Sequence, residues 1–186
     1  MNKIFQIGFN KCGTTSLHNF FLSNNLKSIH WDRSRLAKKI NHNYNNNLPL
    51  LKGYEQYNCF TDMESLNDNI FIYLSLYKEL DKQYPNSKFI LNIRNKENWI
   101  NSRIKHRNYL KIYQKITGLT KEGVITHWNQ IWDEHINNVQ EYFTNRKLDL
   151  LVFDIENDSP DKLIDFMSTF IIIKNNQFKK LNKTKC

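Results

Sequence analysis

Apolar residues fall in two rhythms along this chain. Short apolar runs bounded by turn residues alternate with longer stretches in which apolar positions recur every three or four residues. Residues 3–7 (KIFQI) read as a strand that opens into a glycine-bearing segment. Residues 14–24 follow with Leu17, Phe20 and Phe21 on one helical face, and Asn24-Asn25 stops them. Residues 27–31 read as a second strand, 33–40 as a short basic helix, and 58–62 as a short strand or a turn. Between them, 41–53 is polar and asparagine-heavy, which predicts a flexible loop and a lid on the substrate side. The spacing of Ile70, Tyr73, Leu74, Tyr77 and Leu80 predicts one helix over 69–83. After Tyr84-Pro85-Asn86, the run 88–93 (KFILNI) has the apolar density of a buried parallel strand.

The second half continues the alternation. Residues 104–118 are basic and aromatic, helical with breaks. Residues 120–145 form a long amphipathic helix with Val124, Trp128, Ile131, Trp132, His135, Val139 and Phe143 to one side. Residues 148–155 make a last strand, and Ser159 caps a helix with Pro160 at its first position, where proline is tolerated. Strand–helix alternation predicts an α/β fold, a three-layer α/β/α sandwich on a central parallel sheet of about five strands. At 186 residues the chain is expected to be one domain, 1–186, and the 40% hydrophobic share supplies a core.

The segment after the first strand, GFNKCGTTSL, has the parts of a phosphate cradle. Gly8 and Gly13 permit a tight turn whose N–H groups converge, and the following helix adds the positive end of its dipole. The glycine spacing is that of the P-loop G-x-x-x-x-G-K-[ST], yet Thr14 stands after Gly13 and the lysine is Lys11, inside the loop. Arg94 closes the strand 88–93, with Ser102 eight residues on, about two turns into the next helix. Ligands of open α/β sheets bind beyond the carboxyl ends of the strands, so Arg94 is expected at the mouth that the glycine loop lines.

This combination resembles the PAPS-dependent sulfotransferases (PAPS is 3′-phosphoadenosine 5′-phosphosulfate). The stretch YPNSKFILNIRNKENWINS is similar to that family's strand-to-helix block, 134–167 resembles its late helix, last strand and closing helix, and FKKLNKT is similar to its terminal segment, with Lys179 where the family has proline. The likeness is weaker over 33–57. It implies that Gly8, Asn10, Lys11, Cys12, Gly13, Thr14, Thr15 and Ser16 hold the 5′-phosphosulfate. It further implies that Arg94 and Ser102 hold the 3′-phosphate, that 3′,5′-ADP is the leaving product, that no metal is required, and that the acceptor is a small molecule or glycan. Lys11 would stabilise charge on the leaving phosphate during in-line transfer.

A general base must take the acceptor's proton. His30 and Asp32 end the second strand. Asp62 and Glu64 lie in FTDMES, which resembles the family's F-x-D-x-P segment without its proline. Histidine titrates nearest neutrality, whereas a carboxylate would need burial to raise its pKa. The order of candidates is Asp62 and His30, then Asp32, where related glycan sulfotransferases carry an acidic base; each is otherwise a hydrogen-bonded strand end or a cap. His127 and His135, eight apart, read as core-edge histidines rather than metal ligands, and His106 faces either the acceptor mouth or solvent.

Composition adds limits. The net charge of +9 suits a polyanionic ligand, although the tail lysines read as a solvated surface. Nucleic acid is not expected as a partner, because no basic-aromatic motif accompanies the charge. Three cysteines without a framework, Cys12, Cys59 and Cys186, read as reduced thiols. No signal-peptide pattern and no apolar run near 20 residues occur, so a cytoplasmic protein without a membrane span is expected. Two other readings compete. LLVFD at 150–154 mimics the magnesium-binding strand of a P-loop kinase or NTPase, and the short length fits a non-catalytic nucleotide-binding descendant.

Overall fold

The computed structural model describes residues 2–179 and 181. Part of the terminal FKKLNKT segment (Lys180 and 182–184) and Cys186 lie outside the described residues. The chain runs β1 (Ile4–Gln6), α1 (Thr14–Ser23), β2 (Ser28–His30), a single helical turn (Asp32–Ser34), α2 (Arg35–Asn45) and β3 (Cys59–Thr61). A small antiparallel pair, β4 (Glu64–Ser65) and β5 (Ile70–Phe71), leads to α3 (Ile72–Ser75), α4 (Tyr77–Gln83) and β6 (Lys88–Ile93). α5 (Lys96–Ile104), α6 (Tyr109–Thr117), α7 (Lys121–Tyr142), β7 (Leu150–Asp154) and α8 (Pro160–Ser168) complete it. Five strands form one parallel sheet in the order β2-β3-β1-β6-β7.

Period-two alternation sends successive strand residues to opposite layers. Phe5, Phe60 and Phe89 meet on one face, with ring centroids 5.4 Å apart for Phe5–Phe60 and for Phe5–Phe89, under α5 and α7. Ile4, Cys59, Ile90, Leu151 and Phe153 pack on the other, against Leu17, Phe20 and Phe21 of α1 and Leu163 and Met167 of α8. Thus the sheet is covered on both sides, as parallel sheets are. β1 sits at its centre, and the chain winds outward from it in both directions. That makes the carboxyl edge of β1 the topological switch point.

Two expectations are corrected. The segment 41–53 is no flexible lid: α2 continues through Asn45, and the buried Asn43 amide donates to the carbonyls of Leu50 (2.9 Å) and Lys52 (3.0 Å). Leu50 and Leu51 are buried, so this asparagine-rich stretch is fastened to the core through its few apolar residues. The single helix over 69–83 is three elements. Ile70 and Phe71 extend to pair with β4, and the backbone breaks at Leu76 (φ −125°, ψ 8°) between α3 and α4.

Candidate functional site

Residues 8–13 cross the carboxyl edge of the sheet and enter α1. A Cβ on Gly8 would lie 2.1 Å from the Asn92 carbonyl oxygen, so the loop passes β6 at a distance only glycine permits. Gly13, at φ 79°, stands at the cap of α1 with no side-chain cap bond, which leaves the first-turn amides uncovered by a side chain. The loop's carbonyls are engaged behind it. Ile7 O accepts from His135 Nε2 (2.7 Å), Gly8 O from Gln6 Nε2 (2.6 Å) and Asn10 O from Trp99 Nε1 (3.1 Å). Lys11 O accepts from Arg94 Nη1 (3.1 Å) and Cys12 O from Asn92 Nδ2 (2.6 Å). Five donors thereby fix the loop's carbonyls in place.

That cleft encloses about 510 Å³, and Lys11, Gly13, Thr14, Thr15, His30, Asp62, Arg94 and Ser102 all line it. Lys11 adopts φ 63°, and its Nζ lies 3.4 Å from His106 Nδ1. Burial lowers the pKa of both groups, and for His106 the Lys11 charge adds to the effect. Arg94 donates from Nε (3.0 Å) and Nη2 (2.5 Å) to Glu156 Oε1. Burial alone would raise Glu156, but the Asn95 N–H, Arg94 and Asn98 outweigh it and hold the carboxyl below its usual range. Ser102 is buried on α5 and reaches the same cleft.

The residue after β3, Asp62, is the candidate carboxylate that lines the cleft beside His30. Asp62 turns at φ 55°, its N–H bonded to Gln6 Oε1 (2.8 Å), and its Oδ2 lies 3.7 Å from His30 Nε2. Its Oδ1 is buried and meets no partner among the described residues. Burial pushes the carboxyl up, against the pull of Lys11 and Arg103. Glu64 stands behind it, accepting from Asn10 Nδ2 (2.8 Å) and Tyr73 OH (2.8 Å); burial and then the Asp62 charge push it up as well. Arg103, fully buried, donates from Nε to Asn10 Oδ1 (2.8 Å), with its guanidinium 4.3 Å from the Trp99 ring centroid. His30 bonds Thr61 Oγ1 through Nδ1 (2.9 Å), and burial depresses it to about 4, so the ring is neutral at pH 7.

Several named residues sit elsewhere than expected. Asp32 does not line the cleft: Arg35 Nη2 (2.6 Å) and Tyr54 OH (2.9 Å) hold its carboxylate outside it. Gly8 lies behind the cradle against Asn92. The Cys12 thiol is buried, and burial raises its pKa, which removes thiolate chemistry. Ser16 is buried and accepts from the Leu181 N–H (2.8 Å). The Asn10 side chain bridges Arg103 and Glu64 at the cleft floor. His135, by contrast, is buried as its core-edge reading expects; it braces the loop, and burial lowers it to about 4. Residues the sequence reading passed over are Gln6, Asn92, Arg103 and Glu156. The signal for the first two was present: each is a polar side chain inside an otherwise apolar strand run.

No helix among the described residues is long and apolar enough to cross a membrane. A family model described as a sulfotransferase domain matches residues 3–109, from β1 through the start of α6. No curated protein matches the chain.

Proposed function

Because this chain belongs to the sulfotransferase-domain family, we propose that it moves a sulfuryl group from PAPS to a hydroxyl or amine of a small-molecule or glycan acceptor, leaving 3′,5′-ADP. The observation that carries this reading is that the glycine loop with Lys11 and the Arg94/Ser102 couple open on one cleft. The donor fits its chemistry: uncovered helix amides and a lysine for one anionic end, a guanidinium and a hydroxyl for the other. PAPS would supply the activated sulfuryl group.

The protein's own contribution is placement and charge. Lys11 and the amides at the start of α1 offset negative charge that grows on the phosphate side. Asp62, raised by burial toward neutrality, takes the proton of the attacking hydroxyl, and neutral His30 lies 3.7 Å from it. The kinase alternative loses its support: the Asp154 carboxylate accepts from the N–H groups of Glu156 (2.8 Å) and Asn157 (3.2 Å), closing a turn outside the cleft lining.

Calorimetry tests the donor assignment. 3′,5′-ADP is expected to bind without magnesium and more tightly than 5′-AMP. Equal affinity for the two nucleotides would remove the 3′-phosphate site, and with it the case for PAPS.

A further inference from the structure

The cleft divides between strands. The candidate phosphate-binding parts follow β1 and β6, while another part of the lining follows β3 and β2, and residues 106–109 and Ile112 face it from the helical side. Asp62 follows β3 and Trp31 follows β2, and both line the cleft. Neighbouring strands stand about 4.8 Å apart, which puts Asp62 one spacing from the loop and Trp31 two. An acceptor hydroxyl lodged at Asp62 therefore has its body about one ring's width further on, over Trp31.

Trp31 is unlike the other tryptophans. It is 44% exposed, whereas Trp99, Trp128 and Trp132 are buried. It also begins a run of four non-glycine residues in the left-handed region, with φ of 53°, 49°, 52° and 68° at Trp31, Asp32, Arg33 and Ser34. Such strain persists only where surrounding bonds impose it, and it gathers at ligand clamps. Here the Trp31 N–H bonds Thr61 O (3.1 Å), and the Asp32 carboxylate is pinned by Arg35 and Tyr54. A costly, braced turn thus holds an indole at the edge of the cleft, with Ser34, Asn67 and Asn108 among the polar residues that share its lining.

Resting on the sulfotransferase reading above, we propose that Trp31 is the platform for the acceptor and that the acceptor presents a sugar ring. The C–H face of a pyranose covers the indole, and the amides of Asn67 and Asn108, each both donor and acceptor, suit its hydroxyls.

Acrylamide quenching isolates Trp31, the exposed indole. With 3′,5′-ADP bound, methyl β-glucopyranoside, methyl β-galactopyranoside and N-acetylglucosamine are titrated in turn. At least one is expected to shield Trp31 saturably, and Trp31→Phe removes the sugar-sensitive emission. Trp31→Ala weakens that sugar roughly threefold to tenfold by calorimetry, with affinity for 3′,5′-ADP unchanged. Should the Trp31 variants fold poorly, Asn67→Ala and Asn108→Ala each lower sugar affinity with the indole in place. Shielding by none of the three sugars while 3′,5′-ADP binds, or shielding by 2-naphthol alone, overturns the sugar assignment and leaves the donor site standing. Failure of 3′,5′-ADP itself to bind overturns both.

Discussion

Arg94 donates from Nη1 to the main-chain carbonyl of Lys11 across 3.1 Å. The guanidinium that ends β6 is therefore physically joined to the loop that follows β1. Its Nε and Nη2 are committed to Glu156, so the fork is fixed in direction before any ligand arrives.

Arg94→Ala should weaken 3′,5′-ADP by about 1.5–3 kcal/mol, the range for a hydrogen bond to a charged group. Binding of 5′-AMP should change much less. The comparison is made by calorimetry at constant ionic strength. Similar losses for both nucleotides would mean that Arg94 only supports the loop.

Lys11→Ala and Asp62→Asn should part in their effects. On the proposed mechanism Lys11→Ala removes the charge that offsets the donor phosphate, and it should lower kcat about 10²–10³-fold with the melting temperature unchanged. Asp62→Asn should abolish transfer while 3′,5′-ADP affinity is held or improved, since a negative charge leaves the cleft. Transfer of labelled sulfuryl groups to an acceptor panel reads both. Retained turnover in Asp62→Asn would pass the base role to His30.

Asn92→Ala should destabilise the fold by at least about 2 kcal/mol. It strands the Cys12 carbonyl and the Gly8 N–H in the interior, where each unpaired buried group costs about 1–3 kcal/mol, while the Gln6 amide keeps the Gly8 carbonyl. Urea midpoints at constant m-value measure it. A change below about 0.5 kcal/mol would mean that the loop finds other partners.

Acid should weaken the protein through buried His135 and half-buried His18 and His30. His18, His30 and His135 are held at about 4, below their ordinary value, so the unfolded chain binds more protons between about 4 and 6.5. Their contribution is complete above 6.5 and is lost as pH falls toward 4. The raised pKa values of Asp62 and Glu64 act in the opposite sense, favouring the folded state at lower pH. His135→Gln should flatten the fall in urea midpoint between pH 7.5 and 5, and an unaltered slope would assign the acid sensitivity to the other groups.

The sheet and the cleft that gathers Lys11, Arg94 and Ser102 were legible because they rest on local signals: apolar runs, a glycine turn, and an arginine at a strand end. Asp32 illustrates the limit. It sits one residue from Trp31 and two from His30, yet a left-handed turn sends its carboxylate to Arg35 and Tyr54. No periodicity forecasts four left-handed residues in succession. Arg103 was opaque for another reason, since a buried charge becomes intelligible only once its partners, Asn10, Tyr73 and the Trp99 ring, are gathered around it. The 41–53 stretch misled through composition, its asparagines masking the anchoring leucines.

The bond from His135 to the Ile7 carbonyl has an evolutionary and practical edge. Position 135 lies well past the last residue of the family match, on a helix that contributes nothing to the cleft lining. A fragment ending at Tyr109 would retain the whole of the family match while losing one strut of the glycine loop, together with the Glu156 clasp on Arg94. Transplanting this cleft into another scaffold would therefore require the C-terminal third to travel with it.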